Sequence, residues 1–311
     1  MDPLVSIIVL TYNSRKYVLE TLESIKQQTY RNIELIISDD CSSDDTVGEC
    51  RKWINENRDR FTRAEIVIAS QNSGIPANCN RGLSEARGEW VKFIAGDDLL
   101  FPVTIELFIN EIRNNIPGDK LAFHGKVVEF NDDLQTYQRS YDWGDSSVQN
   151  FNRSDITAEE QHRILLRFCP VEAASTFLSR QVFEKVGLFD ERFKYWEDRP
   201  MWLKMTSDGI KFSFVNAEVA KYRRHSDSVQ INKDMSMFSR TTLSKDEAFR
   251  KIIVPELPFI ERALNIYIIS VRRFFHRSFR NKKTFIINLP YKALVFLPEI
   301  WLKKIKNRYA P

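Results

Sequence analysis

Glycine is scarce in this chain: there are ten in 311 residues, and no two are spaced G-x-G. That removes the glycine-rich fingerprint of nicotinamide dinucleotide enzymes, and the lack of any G-x-x-x-x-G-K run removes the P-loop of NTPases. No G-x-S-x-G elbow is present for a serine hydrolase. The four cysteines (Cys41, Cys50, Cys79, Cys169) form no C-x-x-C pair, and the four histidines are widely scattered. A sequence-local zinc knuckle is therefore not indicated, and reduced thiols in a cytosolic protein are the simplest reading. No apolar stretch reaches the roughly 20 residues of a spanning helix; the run 293–302 is short and holds Pro298 and Glu299. The first residues lack both a basic n-region and a small-residue cleavage site, so no secretory signal is read there.

What is present has the composition of an ordinary globular protein, 43% hydrophobic and 28% charged, which argues against disorder and fibrous repeats. Residues 5–12 form a continuous apolar, β-branched run, as expected for a strand buried on both faces of a parallel sheet. Tyr17, Val18, Leu22 and Ile25 then recur at helical spacing. Further strands are expected at 33–38, 64–69 and 89–95, with helices at 47–54 and from Pro76 to about Ala86. This alternation predicts an α/β fold with a mainly parallel sheet and right-handed crossovers. Beyond Asn131 the order loosens: 132–152 reads as a long polar loop, a lid or acceptor-side wall. Thr157 and Glu160 have capping-box spacing, 173–178 reads as a strand lying over the site, and a last strand is expected at 211–222.

Two acidic pairs sit where strands run out, Asp39-Asp40 and Asp97-Asp98. Ligands of open α/β sheets collect at carboxyl ends of strands, and carboxylates there suit a hard divalent ion, Mn²⁺ or Mg²⁺, together with a hydroxyl-rich, phosphate-bearing ligand. An isolated Asp-Asp pair before Pro102 would more simply cap the next helix; the matching pair at Asp39-Asp40 reverses that preference. Glu197-Asp198 opens another helix, and cap and general base remain equally open from local sequence. His225, with Arg223 and Arg224 beside it, is either a polar loop residue or a metal or phosphate contact. Tyr12 is either core packing or a stacking platform for a base.

Taken together, 5–13 (VSIIVLTYN), 37–43 (ISDDCSS), Asn72-Ser-Gly74, 86–90 (ARGEW), Gly96-Asp-Asp98, Gly187-Leu-Phe-Asp190, Trp196-Glu-Asp198 and Tyr222-Arg-Arg-His225 resemble the family 2 glycosyltransferases of the GT-A fold. The resemblance implies a sugar-nucleotide donor, usually a UDP-sugar, and transfer with inversion. It implies that Thr11, Tyr12 and Asp40 contact the base, with Asn13, Asp39 and Asn72 on the nucleotide side, and that Asp97 holds the ribose. Asp98 and His225 would bind the metal, and Asp198 would be the catalytic base, supported by Glu197. Many relatives carry an acidic or amide residue where this chain has Ala95, and a further acid after the position of Asp198, where this chain has Arg199-Pro-Met-Trp202.

The division expected is a nucleotide-sugar-binding and catalytic domain over 1–230 and a basic, amphipathic helical extension over 231–311. In the extension, Leu264, Ile268, Val271, Phe275 and Phe279 recur at helical spacing, and from Val271 onward Glu299 is the single acid among many bases. Such a helix either lies on an anionic membrane or packs its stripe on the catalytic domain. The partners implied are a nucleotide-sugar donor and a saccharide or lipid-linked oligosaccharide acceptor, as in bacterial surface polysaccharide assembly. The location implied is the cytoplasm, with peripheral contact at the inner face of the cell membrane. No nucleic-acid-binding module accompanies the basic residues. A sugar-nucleotide-binding protein without turnover is the rival from another class.

Overall fold

The computed structural model describes residues 2–114, 120–132, 137–139, 146–225, 238, 240–279 and 285–308. Its first half follows the apolar patterning: β1 (Val5–Thr11), α1 (Val18–Lys26), β2 (Ile33–Asp39), α2 (Thr46–Asn57), β3 (Arg63–Ile68), α3 (Ile75–Glu85) and β4 (Trp90–Ala95). β1 is parallel to both β2 and β4, and β2 is parallel to β3. Leu10 pairs with Ser38 on one side and Ala95 on the other, so three strands end at one level. Alternation along β1 feeds two cores, with Ile7 and Val9 on the face of α1 and α4, and Ile8 on the face of α3 and α8. At Gly82 a β-carbon would lie 2.4 Å from Ile8 Cγ2, so α3 packs closely on the sheet because that residue has no side chain.

The second half comprises β5 (Leu99–Leu100), α4 (Thr104–Arg113), β6 (Ala122–Asn131), β7 (Tyr137–Arg139), α5 (Ser146–Phe151), α6 (Ala158–Leu165), β8 (Thr176–Ser179), α7 (Arg180–Val186), α8 (Asp198–Ser207) and β9 (Phe212–Arg224). The sheet order is β3-β2-β1-β4-β8-β6-β9-β5, with β7 on β6. β8 runs antiparallel to both β4 and β6, whereas β6 and β9 are parallel. The parallel expectation thus holds for the first four strands, and the other half of the sheet is mixed.

Two local expectations change. The strand expected to lie over the site is β8, built into the sheet because Phe177 and Leu178 face its two cores; the turn before it, Ala173–Ser175, is what reaches the cavity. The stretch expected as a loop at 132–152 holds β7 and α5, because Val148 and Phe151 are buried; residues 133–136 and 140–145 lie outside the described residues. The capping box forms as read, with Thr157 accepting from Glu160 N–H and the Glu160 carboxylate accepting from Thr157 N–H.

Three helices follow: α9 (Arg240–Ile252), α10 (Phe259–Ser278) and α11 (Phe285–Arg308). Ala248, Ile253 and Leu257 belong to the core that contains Ile8, Phe93 and Trp202, so hydrophobic packing continues past residue 230. α10 is tied down by Arg167–Glu261 at 2.7 Å and by Arg272–Asp246. α11 runs through both Pro290 and Pro298. Among the described residues, no helix is long and apolar enough to cross a membrane.

Candidate active site

The ends of β1, β2 and β4 and the start of α8 open onto one cavity of about 1160 Å³. Thr11, Tyr12, Asp40, Asn72, Asp97, Asp98, Glu197 and Asp198 all line it. Asp39 lies behind this wall: its carboxylate accepts from Thr11 Oγ1 at 2.8 Å, Ser42 N–H at 2.8 Å and Ser42 Oγ at 2.5 Å. Asn13 also stands back, with φ 51°, and its side-chain oxygen accepts from Ser43 N–H at 2.8 Å. Asp40 shapes the adjoining loop by accepting from Ser73 N–H at 3.0 Å, Gly74 N–H at 2.8 Å and the Arg81 guanidinium at 3.3 Å. Tyr12 is 51% exposed, which removes the core-packing reading.

The loop that carries Asn72 is joined to the segment before Glu197. Lys194 Nζ donates to the Asn72 carbonyl at 3.2 Å, and Ile75 N–H donates to the Lys194 carbonyl at 3.0 Å. Gly74 is required at this joint: its φ is +98°, and a β-carbon there would come within 2.6 Å of the Lys194 carbonyl oxygen.

Neither Asp97 nor Asp98 caps the following helix, whose N-cap is Val103. Asp98 is buried, and its Oδ1 accepts from Arg223 N–H at 3.0 Å. Burial, and then the neighbouring Asp97, push its carboxyl well above the usual range. His225 stands against Asp97, not Asp98, with Nε2 2.9 Å from Asp97 Oδ2. Tyr17 backs both His225 and Arg223, at 4.6 Å from each. Arg223 is spoken for: it donates to the Asp97 carbonyl at 3.0 Å, the Asp132 carbonyl at 2.9 Å and Glu20 at 2.6 Å. Two carboxylates and an imidazole at one sheet edge fit a hard divalent ion in ligand chemistry. Among the described residues, no cluster of three or more such side chains forms a ready-made cage.

Glu197 takes the N-cap position of α8 but makes no side-chain cap bond, whereas Asp198 Oδ1 accepts from Arg199 N–H at 2.6 Å. The cap reading thus fails for Glu197. Burial raises both carboxyls; Asp198 adds to the rise at Glu197, which reaches about 7. Lys245, from α9, opposes the rise at both and lines the same cavity. No motif or spacing marks Lys245 in the sequence. Glu172, Glu129 and Arg224 also line the cavity and were not singled out as a group. Arg224 pairs with Glu129 at 2.5 Å. Burial, then the charges of Glu129 and Asp198, push Glu172 up to about 8.

A mixed α/β sheet with acidic pairs at its strand ends, facing a carboxylate at a helix start across one cavity, is the architecture of a GT-A glycosyltransferase. The sequence profile of glycosyl transferase family 2 matches residues 6–187, and the chain belongs to that family. It is 28% identical over 244 residues to the Escherichia coli UDP-Glc:alpha-D-GlcNAc-diphosphoundecaprenol beta-1,3-glucosyltransferase WfaP, covering 78% of this chain and 86% of WfaP. Among solved structures it resembles Staphylococcus aureus TarS 1–349 in complex with UDP-GlcNAc, with a TM-score of 0.61, 18% identity, and coverage of 99% of this chain and 82% of that one. It also resembles the mannosyltransferase PcManGT of Pyrobaculum calidifontis in complex with GDP-Man and Mn²⁺, with a TM-score of 0.54, 17% identity, and coverage of 100% and 73%. At these identities the two structures bear on the fold alone.

Proposed function

We propose that this glycosyltransferase moves a sugar, with inversion, from a UDP-sugar to a hydroxyl of a saccharide or lipid-linked saccharide acceptor in surface polysaccharide synthesis. The observation that carries the reading is that Asp97-Asp98 and Glu197-Asp198 line one cavity, so that groups suited to a nucleotide diphosphate and a candidate base share a space. WfaP, by its name, uses a UDP-sugar and a lipid-diphosphate-linked sugar, which supports the choice of partners.

On this reading Thr11, Tyr12, Asn13, Asp39, Asp40 and Asn72 form the nucleotide side and Asp97 meets the ribose. Asp198 takes the proton of the acceptor hydroxyl as that oxygen bonds to the anomeric carbon, and the bond to the diphosphate breaks with its electron pair leaving on the diphosphate. Glu197, the adjacent residue on the cavity wall, sets the charge state around the base. Asp98 and His225 would hold Mn²⁺ or Mg²⁺, which when bound supplies Lewis-acid neutralisation of the leaving diphosphate. Calorimetric titration of UDP with Mn²⁺, then with EDTA, tests the reading. Metal-dependent binding is expected, and folded protein that binds no UDP would refute it.

The extension supports contact with an anionic membrane on the cytoplasmic side. Phe274, Leu289, Phe296, Leu297 and Trp301 are each more than half exposed on α10 and α11, which also carry Arg273, Arg277, Lys292, Lys303 and Lys304. Apolar side chains among cations suit the interface of anionic lipid. Cosedimentation with phosphatidylglycerol vesicles is expected for the full chain and reduced for Phe296→Ser/Leu297→Ser; equal sedimentation of the two would refute the contact.

A further inference from the structure

Glu172 sits in a turn whose backbone is held from three sides. Trp202 Nε1 donates to the Val171 carbonyl at 3.3 Å, Ser175 N–H and Oγ donate to the Glu172 carbonyl at 2.9 and 2.7 Å, and the buried Lys92 Nζ donates to the Ala174 carbonyl at 2.5 Å. The side chain on this anchored turn has no such support: Glu172 Oε2 is buried with no hydrogen-bond partner. The nearby cation does not answer it, because Arg224 is engaged by Glu129. Glu172, Glu129, Arg224 and Tyr222 line the cavity together, beside Asp198.

Buried polar groups in native proteins are almost always bonded, and an unsatisfied one on a rigid turn at a cavity wall is prepared for a ligand that completes it. Burial, then the charges of Glu129 and Asp198, favour the neutral form of this carboxyl near pH 7, and the charge of Arg224 opposes them. A neutral carboxyl both donates and accepts, as a sugar hydroxyl does. The paired Glu129 and Arg224 beside it add fixed acceptors and donors.

We infer that Glu172, with the Glu129–Arg224 pair beside it, forms a subsite that binds the hydroxyls of a sugar in this cavity. This rests on the reading of the cavity as a sugar-nucleotide transfer site and adds a recognition role for residues which that reading leaves unused. The sugar belongs either to the donor or to the acceptor, and the same titration separates them.

The test is calorimetry on the full chain, wild type, Glu172→Ala and Glu172→Gln, with Mn²⁺. The probes are UDP alone, then UDP-glucose, UDP-galactose and UDP-N-acetylglucosamine, then methyl glycosides of these sugars added to UDP-saturated protein. Glu172→Ala should leave UDP affinity within about twofold and weaken one sugar-bearing set by about two- to tenfold, the range for one net hydrogen bond. Loss with UDP-sugars assigns the donor sugar, and loss with methyl glycosides assigns the acceptor. Glu172→Gln, which keeps a donor and an acceptor, should restore most of the affinity. Equal affinities of wild type and Glu172→Ala for every probe, or an equal loss for UDP itself, would overturn the subsite. Wild-type protein that binds no UDP would instead overturn the donor reading beneath it.

Discussion

Asp198→Asn exchanges one carboxylate oxygen for an amide nitrogen at nearly constant volume. The bond from Arg199 N–H, 2.6 Å from Oδ1, can be kept by the amide oxygen, so α8 should start where it does now. What disappears is a proton acceptor facing the cavity. A positioned base is worth about 10²–10⁴-fold in rate, or about 3–5 kcal/mol of barrier. A second effect follows from the adjacent residue: the charge of Asp198 comes after burial in raising Glu197 to about 7, so Glu197 should release its proton at lower pH in the variant. The assay is UDP release during transfer from a UDP-sugar, run with calorimetric UDP binding and thermal unfolding. We expect kcat to fall by 10²–10⁴-fold, UDP affinity to stay within about twofold, and Tm to move by a few degrees at most. A kcat within tenfold of wild type would refute the assignment of Asp198 as base.

Two further predictions concern other buried charges. Glu197 ionises near 7 in the folded protein against its ordinary 4.5, so between those values the native state holds the extra proton and stability falls as pH rises. Glu197→Gln should therefore gain stability over wild type on going from pH 5 to pH 8, by on the order of 1–3 kcal/mol since the pair shares its charge; urea unfolding at both pH values checks this, and a difference independent of pH would refute it. Arg223→Met leaves the Asp97 and Asp132 carbonyls without their donor and Glu20 without its partner, at a cost of about 2–4 kcal/mol. A urea midpoint within error of wild type would show that this buried cation contributes no net stability.

The first half of the fold was legible because each strand there is an apolar run bounded by turn residues, and β1 and β2 are buried on both faces. In the second half the strands read at 173–178 and 211–222 correspond to β8 and β9, but β6 was not legible: it buries His124 among Phe151, Phe212 and Phe214 and so shows no clean period. α9 is not read as a separate element in the sequence and is committed to the core by Ala248, with Phe249 under the Arg199 guanidinium. In the site, the acidic pairs were legible because both fall at the carboxyl ends of strands, where ligands of open α/β sheets collect. The engagement of Asp39 by Thr11 and Ser42, and of His225 by Asp97, depends on register and rotamer, which spacing does not encode. Glu172 and Lys245 reach the cavity from segments separated from the acidic pairs by tens of residues, and only the assembled sheet brings them there.

The strand order also has a consequence for synthesis. β4 has β1 on one side as soon as residue 95 has been made, but its other neighbour is β8, at 176–179, and β5 waits for Lys221 and Ala220 of β9. The apolar face around Ile8 and Phe93 receives its last covering residues only at Ile253 and Leu257. A chain leaving the ribosome from its amino end therefore carries an open strand edge until β8 is made and a half-clad hydrophobic face until Leu257, which is when an unpaired edge invites association with other chains. For this enzyme the vulnerable interval closes when α9 and the turn after it dock, so the segment that brings Lys245 to the cavity also shields the nascent sheet.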